Sequence, residues 1–161
     1  MKRLLLAFSV IVGAALTGCT TSPAAGESSP IARFFLEAQG SAGERTILPQ
    51  SETEISIARK PVLTEFDLVS VEIAQVELGK CLQFSFTPAA SRDLYRLSVD
   101  NLGQRLVLMV DGRAMGARRI DRPIPDGTLL MFIETPDDAL PALQMGLRQT
   151  SVQIQRVARK L

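Results

Sequence analysis

Few side chains in this 161-residue sequence have the type and spacing to do chemistry, and arginines dominate them. Arg113, Met115, Arg118, Arg119 and Arg122 fall in one segment between Asp111-Gly112 and Asp126-Gly127. Guanidinium groups beside an adaptable methionine can grip carboxylates, phosphates or a passing polypeptide, so this segment is the candidate binding surface. The competing reading is a solvated hairpin whose arginines are balanced by Asp111, Asp121 and Asp126. Catalytic candidates are weaker. Cys81 would be a thiol nucleophile, yet the chain has no histidine to activate it, and a packed, inert cysteine is the expectation. Asp111 beside Arg113 reads as a turn aspartate before glycine. Asp137 and Asp138 read as carboxylates at a helix start, where the helix dipole favours them. We therefore expect no catalytic residue, no metal ligand set and no cofactor.

Elements to hold these residues can be read from hydrophobic period. Leu82, Phe84 and Phe86 alternate with Gln83 and Ser85, a strand with one buried face. Thr87 precedes Pro88 as cap and first-turn residue of a helix whose apolar stripe is Ala90, Leu94 and Leu97. Gly103 is suited to a left-handed helix stop. Leu106 to Val110 is apolar throughout, which implies either an interior strand covered on both faces or an exposed face awaiting a partner. Asp111-Gly112 marks a reversal.

On these residues the sequence resembles the periplasmic head domain of the SecD subunit of the SecDF protein-translocation accessory. The succession GK, FSFTP, helix, NLGQRLVLMVDGRAM and IPDG carries the resemblance, with Gly103, Arg105, Leu106, Val110, Asp111 and Gly112 at the matching positions of the family's strand and turn. It covers roughly Ile55 to Gln149. It implies a fold and contact with polypeptides, and no catalytic residue. After the Asp-Gly turn the sequence departs from the family: Ala114 to Arg119 stands in place of a small-residue and proline segment.

The beginning of the chain carries a second resemblance. Lys2 and Arg3 precede an apolar run, Leu4 to Leu16, whose helical length of about 20 Å falls short of a ~30 Å hydrocarbon core. This is a signal region over residues 1–18. It ends in Leu16-Thr17-Gly18-Cys19, which resembles a bacterial lipobox. The resemblance implies acylation of Cys19, anchoring in a membrane through several acyl chains, and a periplasmic location in which Thr20 favours the outer membrane. Residues 19–30 then read as the lipidated cysteine and a tether rich in Ser, Pro, Ala and Gly. Without Lys2 and Arg3 the 18 basic residues become 16 against 17 acidic ones, a net charge of −1, so there is no electrostatic case for nucleic acid.

Residues 31–155 are expected to form one domain and 156–161 a basic tail. Ile31 to Ala38 and Glu54 to Ala58 read as strands, with a Gly/Ser-rich loop over Gln39 to Arg45. The alternation Val69, Val71, Ile73 against Val76 and Leu78 calls for a bulge near Ala74 and Gln75, or for a strand leading into a different element. Beyond Gly112 the sequence reads as an irregular hairpin to Pro125 and a strand Thr128 to Ile133. A helix capped near Thr135 or Asp138, with Pro141 in its first turn, and a last strand on Val152 and Ile154 complete the chain. The expected class is α+β, a ferredoxin-like two-layer sandwich with a mainly antiparallel sheet and two principal helices on one face. The expected role is a non-enzymatic protein-binding or assembly module. The alternatives are a scaffold subunit of an envelope complex and an enzyme with an unrecognised acidic site.

Overall fold

The computed structural model describes residues 29–40 and 43–160. The signal region and most of the tether, Cys19 included, lie outside the described residues. Among the described residues eight strands and two α-helices run in the order β1 (Ala32–Leu36), β2 (Glu44–Ile47), β3 (Glu54–Ile57), β4 (Leu68–Val76), β5 (Gly79–Phe86), α1 (Pro88–Asp100), β6 (Arg105–Val110), β7 (Arg113–Arg119), β8 (Thr128–Met131) and α2 (Leu140–Ala158). The class is α+β and all the strand pairings are antiparallel, as expected. The strands are divided among three sheets, β1-β6-β7, β2-β3 and β4-β5-β8.

Local chemistry explains most of the boundaries. Thr87 Oγ1 accepts the Ala90 amide at 3.3 Å and Pro88 opens α1, which buries Ala90, Leu94 and Ser98. Asn101 Nδ2 donates to the Leu97 carbonyl at 2.8 Å, and Gly103 follows at φ +85°. Asp111 and Gly112 both have positive φ, so β6 and β7 are joined by a turn whose twist matches the strands. Asp111 Oδ1 also accepts the Ile31 amide at 2.9 Å, which gives this aspartate a structural task.

The main core lies between one face of β4-β5-β8, one face of β1-β6-β7 and the two helices. Phe34 is its centre, edge-on to Phe84 at 5.1 Å and to Phe86 at 5.5 Å. A second cluster under the β2-β3 hairpin, with Leu48, Ile55 and Ile57, packs on Val107 and Ala114. Leu106, Val107 and Leu108 are consequently all fully buried, so β6 is an interior strand covered on both faces. That settles the choice left by its unbroken apolar run.

Several expectations need correction. The segment around Val152 and Ile154 is no strand: α2 continues through it to Ala158. Leu140, Leu143, Leu147, Ser151 and Ile154 recur every three or four residues, the period of a helix, and Val152 lies on its exposed side. Arg156 therefore belongs to the helix. The cap of α2 is Ala139, with Pro141 in the first turn. The register of β4 is unbroken from Ser70 to Val76, and its irregularity lies between Leu68 and Ser70, where Val69 is the extra residue that lets Leu68 and Val71 both face inward. Val76 ends the strand and Leu78 sits in the β4-β5 turn, so no bulge is needed there. Glu44 and Arg45 begin β2 and are not loop, and Arg113 to Arg119 form a strand with one bulge, at Met115. Strand β8 stops at Met131.

Candidate functional site

The outer face of β4-β5-β8, turned away from the main core, carries Cys81, Gln83 and Leu130 by strand parity. Strand β7 and the segment after it fold over this face. Two bonds fasten them: Arg118 Nη1 donates to the Leu130 carbonyl at 2.7 Å, and the Glu134 amide donates to the Met115 carbonyl at 2.7 Å. Gly116 makes the approach possible, because a Cβ there would run into the Phe132 carbonyl.

Two adjoining clefts result. One, of about 480 Å³, is bounded by Gln83, Arg118, Arg122, Pro123, Pro125, Asp126 and Leu130. The other, of about 630 Å³, is bounded by Leu78, Cys81, Ala117, Arg118, Arg119, Leu130 and Phe132. Arg118 borders both and separates them. The five residues of the candidate surface are thereby split. Arg118, Arg119 and Arg122 come together around the clefts, while Arg113 and Met115 line a separate depression with Ile47, Pro49 and Glu134. Five residues along a strand put Arg113 and Arg118 about 17 Å apart, too far to grip one small ligand. Arg119 meets Asp121 at 3.7 Å across a solvated ion pair.

The clefts offer cations, apolar walls and backbone edges. Cys81 is fully buried, and burial pushes its thiol up while Arg118 pulls it partly back, so the nucleophilic thiolate is disfavoured. Burial also works to raise the Glu134 carboxyl, but hydrogen bonds from the Ser51 amide, the Ser51 hydroxyl and the Gln50 amide, at 2.9, 2.7 and 2.9 Å, hold it below the usual carboxylate range. Asp137 and Asp138 are exposed before α2. Among the described residues no group of three or more Cys, Asp and Glu side chains is placed to hold a metal. Carbonyl, carboxylate or phosphate oxygens could take bonds from the guanidinium groups of such clefts, and apolar groups could take the walls.

Two features of the structure were not read from the sequence. Arg33 binds Glu65 and Arg105 binds Glu37, each pair joining segments remote in sequence. No sequence signal marks them, since both depend on strand pairing. The clustering of Arg118 with Leu130 was equally hidden, although the glycine at 116 inside a strand was a cue to close backbone approach.

No protein-family model matches the chain, and no curated protein matches its sequence. Solved structures do. The chain is similar to a SecDF structure described as a membrane component that enhances protein export, with a TM-score of 0.58 and 20% identity over 74% of this chain and 62% of that one. It is similar to SecDF in a super-membrane-facing form, TM-score 0.59 and 20% identity over 74% of this chain and 19% of that one. It is also similar to SecDF from Thermus thermophilus, described as a translocon-associated membrane protein, TM-score 0.52 and 20% identity over 76% and 20%. The fold thus resembles a SecD-type domain. The chain spans 62% of the first of these chains and about a fifth of the two longer ones.

Proposed function

We propose that this chain is a lipid-anchored protein of the periplasmic face of a bacterial membrane, the outer membrane being favoured, and that its SecD-like domain binds polypeptide without catalysing a reaction. Protein export or envelope biogenesis is the setting that fits such a protein. The observation that carries the reading is the coincidence of a SecDF-type fold with the sequence Leu16-Thr17-Gly18-Cys19 ahead of it. The clefts on either side of Arg118 are the binding surface, with Arg119 and Arg122 at their rims. Among the described residues no helix is long and apolar enough to cross a membrane, so an anchor at Cys19 would supply the attachment.

The test is a pulldown of the protein in its native acylated form from envelope extracts, beside Cys19→Ala and Arg118→Ala/Arg122→Ala variants. A heterogeneous set of exported polypeptides, retained by the acylated protein and depleted several-fold by the arginine changes, is the expected result. One stoichiometric partner unaffected by those changes would replace the reading with a scaffold subunit. A mass spectrum of the mature amino terminus without acyl chains on Cys19 would remove the anchor.

A further inference from the structure

We infer that the solvent face of α2 is a membrane-contact surface that lays the domain on an anionic phospholipid bilayer beside its own tether. The inference extends the anchored reading above and rests on it for the tether's origin, but its physical case is made by α2.

From Leu140 to Lys160 the sequence holds Arg148, Arg156, Arg159 and Lys160 and no acidic residue. At about 100° per residue, Met145, Arg148, Val152, Arg156 and Arg159 fall on one side of the helix, opposite Leu143, Leu147 and Ile154. The outward side therefore alternates cations with exposed apolar groups, Met145 being 66% accessible. That is the composition of a helix lying in a headgroup layer, with apolar side chains below and guanidinium groups at phosphate level.

Two observations place the bilayer from the other edge of this solvent face, where Gly146, Thr150 and Val157 lie well over 100° round the helix from Arg148 and Arg159, so the midline of the contact falls on Met145, Gln149 and Arg156. The chain enters the domain against α2: the Pro30 ring lies by Gly146, and Thr150 Oγ1 donates to the Pro30 carbonyl at 2.9 Å. Ten residues separate Cys19 from Pro30, a mean reach of roughly 20 Å, so a bilayer holding Cys19 lies close to this helix. Further along the same flank an apolar groove of about 310 Å³ runs between Phe66 and Val157, both well exposed. Glu65 is held by Arg33, and Asp67 accepts from Thr64 at 2.8 and 2.9 Å, while the exposed Asp137 and Asp138 precede the first turn of α2, at the end away from Arg156, Arg159 and Lys160. The charge complement of this face is lipid phosphate, at about 1 kcal/mol per basic residue, a fivefold change in partitioning.

The chain has no tryptophan, so one introduced at a chosen site reports alone. The full protein carrying Gln149→Trp on α2, or Leu78→Trp at the β4-β5 turn as a distant control, is bound to vesicles with roughly a third phosphatidylglycerol and brominated acyl chains. Quenching at 149 and none at 78 is expected, with the quenching abolished in purely zwitterionic vesicles and in Arg148→Gln/Arg156→Gln/Arg159→Gln. Unacylated protein is run in parallel by vesicle sedimentation: binding that weakens with salt and falls about a hundredfold in the triple variant is expected. Loss of acylation removes flotation on neutral vesicles and leaves this second measurement intact, so the two readings fail separately. Equal quenching at both positions, no preference for anionic lipid, or self-association through Phe66 and Val157 in sedimentation velocity would overturn the inference.

Discussion

Arg33 Nε and Nη2 donate to the two carboxylate oxygens of Glu65, each at 2.8 Å, so a strand of one sheet holds the turn that leads into the other. Glu65 is buried and Arg33 is half exposed, so the pair is anchored on its acidic side. Its contribution is structural: it fixes the entry to β4 and, with it, the position of Phe66 against α2.

Acid should weaken the fold through this pair and its counterpart. Hydrogen bonding to Arg33 holds the Glu65 carboxyl low, and hydrogen bonding to Arg105 does the same for Glu37. A carboxylate whose folded pKa is depressed stabilises the fold above its unfolded value, near 4.3, and that stability is lost as pH falls through the folded value. Denaturation midpoints measured from neutral pH downward should therefore fall below about pH 4.3. Glu65→Gln should flatten part of that slope, and a slope unchanged by it would refute the assignment.

Removing the aromatic centre should be far more costly than removing a surface charge. Phe34→Ala takes an edge-on partner from both Phe84 and Phe86 in a fully buried site, a loss of about 3–5 kcal/mol by denaturant titration. Phe34→Leu should cost less than half of that.

Gly116→Ala should separate β7 from the segment after β8. A methyl group there meets the Phe132 backbone, which has little room to give, so overpacking of about 1–3 kcal/mol is expected. Faster amide exchange at Glu134, whose N–H donates to Met115, is the accompanying sign.

The Cys81 thiol should resist aromatic disulfide reagents in the folded protein and react at the rate of a free thiol after denaturation, since it is fully buried with its pKa pushed up. Stoichiometric reaction at native rates would return Cys81 to the list of chemical candidates.

Loss of the Glu134 clamp should loosen a hairpin rather than unfold the domain. Glu134→Ala frees the Gln50 and Ser51 amides, and their exchange should accelerate by an order of magnitude or more, at about 1–2 kcal/mol of local stability.

Short-range chemistry was legible in the sequence because each signal acts within a few residues. The Thr87-Pro88 helix start, the Gly103 stop and the Asp111-Gly112 turn all follow from local sterics, whereas the apolar run Leu106 to Val110 left two readings open until the β2-β3 cluster was seen to cover its second face at Val107. The signals failed where two periods coincide over a few residues, as at Val152 and Ile154, or where a strand has too little apolar character to announce itself, as at Glu44 to Ile47. What the tertiary structure alone decided was which distant groups meet. Arg118 reaches Leu130, Arg33 reaches Glu65 and Pro30 reaches Thr150 because sheets pair and helices pack across 12, 32 and 120 residues of chain. A contact between remote side chains depends on where the whole backbone goes, and no local pattern in the chain encodes it.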